Sequence, residues 1–169
     1  NSDKTLREIC YNKAHEIYGE DLPPIVSERL ERELNSIISN GFATMGIAVP
    51  GAVAAKLIYP EKKVLAISGD GGFMMNSQEY ETALREGTPI VTLIFSDASY
   101  GLIKWKEMEQ FGDSCYVDFA NPDFKMMAES MHCKGYEIHS SAELIPTLKE
   151  AFEQKVPAVV VVKVDYSEN

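Results

Sequence analysis

"PAVVVVKV", residues 157–164, is the stretch that most limits the folds open to this chain. Its β-branched residues follow one another without polar alternation, so a strand built from them must be covered on both faces. Two further runs, "KVLAIS" (63–68) and "PIVTLIF" (89–95), have a similar character, and "KGYEIH" (134–139) reads as a short fourth strand. Between them lie segments of helical spacing: "SQEYETALREG" (77–87), "YGLIKWKEMEQF" (100–111), "NPDFKMMAESM" (121–131) and "SAELIPTLKEAFEQ" (141–154). Asn121 is a candidate cap with Pro122 opening the helix behind it, and the Ser140 to Glu143 spacing is that of a capping box. Alternating strands and helices of this kind predict an α/β fold, a doubly wound parallel sheet with helices on both faces.

Two helices open the chain. "KTLREICYNKAHEIY" places Leu6, Ile9, Cys10, Ala14 and Ile17 at roughly helical spacing, and "SERLERELNSII" repeats the pattern after Pro23-Pro24. Residues 1–21 read as a linker helix and 22–169 as the domain proper. The 169 residues, 45% of them hydrophobic, suffice for one domain with a sizeable core.

A net charge of −10, with 26 acidic against 16 basic residues, argues against nucleic acid or an anionic membrane as partner. Any anionic ligand must be held by local chemistry. Cys10, Cys115 and Cys133 have neither CxxC spacing nor histidine partners, as expected of reduced thiols in a cytoplasmic protein. The most apolar stretch, "MGIAVPGAVAAKLI", is broken by Pro50-Gly51 and is shorter than the ~20 residues of a membrane span.

In open α/β sheets ligands gather beyond the carboxyl ends of the strands. There "LAISGDGGFMMNSQEYETAL" (65–84) brings Gly69, Gly71 and Gly72 around Asp70, ahead of a helix expected from about Ser77. Glycines let backbone N–H groups approach an anion, and a helix N-terminus adds partial positive charge. A carboxylate beside a phosphate is repelled unless a cation lies between them, and Mg²⁺ with oxygen ligands is the usual bridge. A tight strand-to-helix turn, with glycines at positive φ and Asp70 capping the helix, accounts for the same letters. No GxGxxG or GK[ST] pattern is present. The next strand tip, "LIFSDASYG", adds a second carboxylate, Asp97, 27 residues after Asp70.

Gly-Asp-Gly followed at this spacing by an oxygen-bearing residue after an apolar strand resembles the GDG…NN signature of thiamine diphosphate enzymes. The resemblance implies Asp70 and Asp97 as side-chain ligands of Mg²⁺ and Ser99 as a carbonyl ligand, with Ser96-Asp97 standing where the family has Asn-Asn. It implies Gly69, Gly71, Gly72, Phe73 and Tyr100 as the diphosphate side of the cofactor site. "SNGFATMGIAVPGAV" (39–53) is similar to the loop and helix that grip the pyrimidine ring, with Met45 as the apolar wedge and the Ala43 carbonyl as acceptor. A core methionine ahead of a buried helix is the plainer account of Met45. Lys104 and Trp105 lie either on the substrate side or on an ordinary amphipathic face.

From residue 117 onward the chain resembles the end of catabolic, FAD-independent acetolactate synthases. The resemblance covers roughly residues 22–169. It implies an enzyme that decarboxylates pyruvate and condenses the product with a second 2-oxo acid. The other readings are a different thiamine diphosphate-dependent decarboxylase or oxidase of 2-oxo acids, or an inert diphosphate-binding or assembly module. The activating glutamate of the family belongs to a separate pyrimidine-binding domain, so no catalytic residue is expected in this chain. A pyrimidine-binding domain or subunit and a homo-oligomer are the implied partners. A strand and cofactor loop of the family are expected to be missing between Ile38 and Ser39.

Overall fold

The computed structural model describes residues 44–166, together with Asn12, Ala14, His15, Gly19, Asp21, Pro23 and Pro24. The chain divides into two compact units, Asn1–Ala43 and Thr44–Asn169. The two N-terminal helices, Ala43 and the junction between Ile38 and Ser39 lie outside the described residues.

Within the second unit the order is α1 (Ala48–Ile58), β1 (Leu65–Gly69), α2 (Asp70–Met75), α3 (Glu79–Arg85), β2 (Val91–Ser96), α4 (Gly101–Phe111), α5 (Phe124–Ser130), β3 (Lys134–Ile138), α6 (Ser141–Phe152) and β4 (Ala158–Lys163). The strands form one parallel sheet in the order β1-β2-β4-β3. Register aligns Gly69 with Phe95, and Ser96 with Lys163, so the carboxyl ends of the three strands lie side by side. The α/β expectation is therefore met. Valines 159–161 at the middle of β4 are buried because helices cover both faces.

On one face α1, α2, α3 and α5 pack on Ala66, Ile94, Val159 and Val161. Helix α1 presents Val49, Ala52 and Val53, one stripe at helical spacing, and tolerates Pro50 because the first turn has no amide partner to lose. Phe73 anchors α2: its ring is 2% exposed and meets Tyr80 at 5.7 Å and Phe124 at 5.5 Å, both edge-on. Tyr80 in turn donates its hydroxyl hydrogen to the Ala158 carbonyl at 3.0 Å, and burial pushes its phenol far above the ordinary range. One aromatic cluster thus fixes the helix that begins at Asp70.

The other face is covered by α6, whose Leu144, Leu148, Ala151 and Phe152 pack on Val91, Leu93 and Val160. Leu65, Ile67 and Phe95, on the same face near β1, are exposed. Helix α4 buries none of its residues and ends at Gly112, whose φ of 73° is the left-handed cap that glycine adopts most readily. Among the described residues, no helix is long and apolar enough to cross a membrane.

Two helix starts differ from expectation. Asp123, not Asn121, caps α5, accepting from the Met126 amide at 2.8 Å. At α6 the capping box does not form, and the glutamate reaches one residue further back than the cap. Glu143 accepts from the His139 amide at 3.1 Å and from the Ser140 hydroxyl at 2.8 Å, so the hydroxyl hydrogen is spent on the carboxylate.

Two stability outcomes are expected. Phe73→Ala lowers the unfolding free energy by about 3–5 kcal/mol in denaturant titration, through lost burial and a residual cavity. The His139 amide and Ser140 hydroxyl hold the Glu143 carboxyl below its usual range, so its contribution is full above the unfolded-chain value. The stability gap between wild type and Glu143→Gln therefore closes as pH falls through the lowered folded value, read from melting curves between about pH 6 and 3.

Candidate cofactor site at the strand tips

The letters GDGG do not form a loop. Gly69 caps α2 and Asp70 is its first residue, so a short extra helix starts at the aspartate, ahead of the helix expected from about Ser77, which is α3. Gly69, Gly71 and Gly72 are also absent from the residues at positive φ. Two of these glycines are explained by space. A Cβ on Gly71 would come within 2.5 Å of the Tyr100 ring, and one on Gly72 within 2.9 Å of the Ser68 hydroxyl. Gly101 similarly leaves room for Asp97, whose Oδ2 would lie 3.0 Å from a Cβ there.

Asp70 is 1% exposed, and its two oxygens are used unequally. Oδ2 accepts from the Asp97 amide at 3.0 Å, the Ala98 amide at 2.8 Å, the Ser96 hydroxyl at 3.2 Å and Asn121 Nδ2 at 2.6 Å. Oδ1 accepts from its neighbour, the Gly71 amide, at 2.8 Å. A buried carboxylate is tolerable where N–H groups replace the water it loses. One oxygen is consumed in joining the tip of β1 to that of β2; the other keeps lone-pair capacity.

The β2 tip bends to make this possible. Ala98 has a φ of 57°, a left-handed conformation that costs an L-residue about 1–2 kcal/mol, and its amide donates to Asp70. Asp97 is half-buried and accepts from the Ser99 amide at 3.2 Å. A strap formed by residues 117–121 closes over the turn. The Tyr100 amide donates to the Val117 carbonyl and the Phe119 amide to the Ala98 carbonyl, while the Tyr100 and Phe119 rings lie 4.8 Å apart. Lys104 pairs with Asp118 at 2.9 Å, which holds the Asp118 carboxyl below its usual range.

Of the residues singled out in the sequence, Gly69, Asp70, Gly71, Asp97, Ser99 and Tyr100 share these two tips. Phe73 sends its side chain into the core, which leaves its backbone for a ligand. Gly46, beside half-exposed Met45, is tied to α2 through its carbonyl, which accepts from Asn76 Nδ2 at 3.1 Å. Asn121 is the residue beside Asp70 that sequence reasoning missed. Asparagine ahead of Pro-Asp reads as a cap, and only the fold brings it to Asp70.

Among the described residues no group of three or more His, Cys, Asp or Glu could hold a metal alone. The donor set expected from the sequence is two carboxylates and a backbone carbonyl. It fits a hard cation that completes its shell with ligand oxygens and water, rather than an all-protein cage.

Residues 26–162 match the family described as thiamine pyrophosphate enzyme, C-terminal TPP binding domain. The chain belongs to this family. It is 37% identical over 136 residues to an acetolactate synthase of Bacillus subtilis, covering 80% of this chain and 24% of that protein. It is 41% identical over 133 residues to a catabolic acetolactate synthase of Raoultella terrigena, covering 79% and 24%. The chain thus spans about a quarter of the length of these relatives. The fold is shared with a thiamine diphosphate-dependent 4-hydroxybenzoylformate decarboxylase of Rhodococcus jostii RHA1. That likeness has a TM-score of 0.70 at 22% identity, over 76% of this chain and 24% of the other. In this TPP-binding domain the Gly-Asp-Gly turn is the stretch where strand β1 gives way to helix α2.

The contact at Gly71 predicts non-additive behaviour. Gly71→Ala alone is expected to destabilise by about 1–3 kcal/mol through overpacking against Tyr100. In the Tyr100→Ala background the same change is expected to cost much less, read as the coupling energy of a double-mutant cycle.

Proposed function

We propose that this chain is the diphosphate-binding part of an acetolactate synthase-like enzyme. Asp70 Oδ1, an Asp97 carboxylate oxygen and the Ser99 carbonyl would hold Mg²⁺ against the diphosphate of thiamine diphosphate. The observation that carries the reading is the split use of Asp70: Oδ2 carries four hydrogen bonds, and Oδ1 has only the adjacent Gly71 amide. A buried carboxylate organised in this way presents one fixed oxygen, and the net charge of −10 calls for a cation before a diphosphate can approach.

Each side chain then has a definite task. Gly71 and Gly72 let the start of α2 pack against Tyr100 and Ser68, which would bring its backbone close to the diphosphate. Tyr100 and the strap shield the Asp70 network from water. By the family resemblance, Met45 would be the wedge beneath the cofactor and the Ala43 carbonyl would accept from its aminopyrimidine. When bound, thiamine diphosphate supplies the electron sink for loss of CO₂ from a 2-oxo acid. Pyruvate as substrate, a pyrimidine-binding domain or subunit carrying the activating glutamate, and a homo-oligomeric complete enzyme belong to the same reading. The two acetolactate synthases at 37% and 41% identity support it.

Calorimetric titration of the chain with thiamine diphosphate, with and without Mg²⁺, tests this. Binding is expected to require Mg²⁺ and to weaken at least tenfold in Asp97→Ala, which removes a ligand but only one described hydrogen bond, that from the Ser99 amide. Asp70→Ala is expected to abolish it. Cofactor binding that is indifferent to Mg²⁺ and to both variants would sink the assignment.

A further inference from the structure

Asn121 comes to Asp70 from the segment between α4 and α5, and its carboxamide is used on one side only. Nδ2 donates to Asp70 Oδ2 at 2.6 Å and to the Ser96 hydroxyl at 3.0 Å. Oδ1 is buried and has no partner among the described residues. Turning the amide over would set Oδ1 against a carboxylate oxygen, so the network itself fixes the orientation. A buried carbonyl oxygen without a donor is costly, and it is conspicuous beside a carboxylate that has attracted five donors.

Building on the cation site above, we propose that Asn121 is a positioning residue for that cation, acting through both ends of its amide. The Nδ2 end holds Asp70 by Oδ2 and so leaves Oδ1 as the oxygen for the metal. The Oδ1 end accepts a hydrogen from a water in the metal's shell. Mg²⁺ loses its waters reluctantly, and a metal-bound water is a strong donor because the ion polarises its O–H bonds. An acceptor that is unpaired without the ion and paired with it returns its desolvation cost only on binding. A tether that merely closes the strap over Asp70 has no use for that oxygen.

The test separates the two ends by measuring the Mg²⁺ dissociation constant of the full chain by calorimetry in the presence of thiamine diphosphate. The Mg²⁺-induced shift in melting temperature is read alongside. Asn121→Leu removes both ends at similar volume and is expected to weaken Mg²⁺ binding roughly tenfold, the usual cost of losing a partner that orients a ligand. Asn121→Asp keeps an acceptor oxygen but loses the Nδ2 donor, and is expected to weaken Mg²⁺ binding by less than Asn121→Leu does, with a Mg²⁺-induced melting shift between those of wild type and Asn121→Leu. Circular dichroism establishes that each variant is folded; if Asn121→Leu is not, Asn121→Ala, which also removes both ends of the amide, takes its place. Unchanged Mg²⁺ affinity in folded Asn121→Leu, with binding still lost in Asp97→Ala, overturns the role of Asn121 and leaves the cation site standing. Equal weakening in both Asn121 variants overturns the acceptor role. If the wild-type chain shows no Mg²⁺-dependent binding, the cation site and this inference fall together.

Discussion

The second compact unit is organised around a buried negative charge. Removing a carboxylate from water costs several kcal/mol even after relaxation, and Asp70 meets that cost with three backbone amides, a hydroxyl and a carboxamide. These donors come from α2, the β2 tip and the strap, so the charge can be satisfied only when all three are in place. The hydrogen bonds thereby tie the order of the ligand-bearing turns to the fold of the sheet. They also offset the cost of holding an alanine at positive φ, because in that conformation the Ala98 amide donates to the carboxylate.

The aromatic cluster below does complementary work. Phe73, Tyr80 and Phe124 set the depth and tilt of α2 from the core side, while Asp70 fixes its first turn from the tip. A six-residue helix has too few internal hydrogen bonds to persist alone. Three residues apart on α2, Asp70 and Phe73 lie on one face of it, and the polar site and the apolar core are bound to opposite ends of the same short element.

Much of this was legible in the sequence. The four strands, the parallel sheet and the two acidic tips follow from runs of Val and Ile and from where Asp70 and Asp97 fall after them. What the letters could not convey was which property of a residue the fold would use. The glycines around Asp70 look like positive-φ residues, yet they serve by leaving room for Tyr100 and Ser68. Asn121 and Asp123 are equally good caps by type, and the choice between them depends on a carboxylate 51 residues away from Asn121. The strain at Ala98 has no local signature, because alanine gives no reason to expect a left-handed turn. The N-terminal helices and Ala43 lie outside the described residues, so those expectations remain readings of the sequence.

Helix α4 carries a different lesson. It follows directly on the Asp97 turn, exposes Leu102, Ile103, Trp105, Met108 and Phe111, and buries nothing. An eleven-residue helix without a buried face has little local stability in water. Its free energy of opening is therefore low compared with that of the sheet and the helices packed on it. The Asp70 side of the site is built into the sheet, whereas the neighbouring wall hangs on the Asp97 turn and the Lys104–Asp118 pair, so its order is a property of that turn rather than of the core.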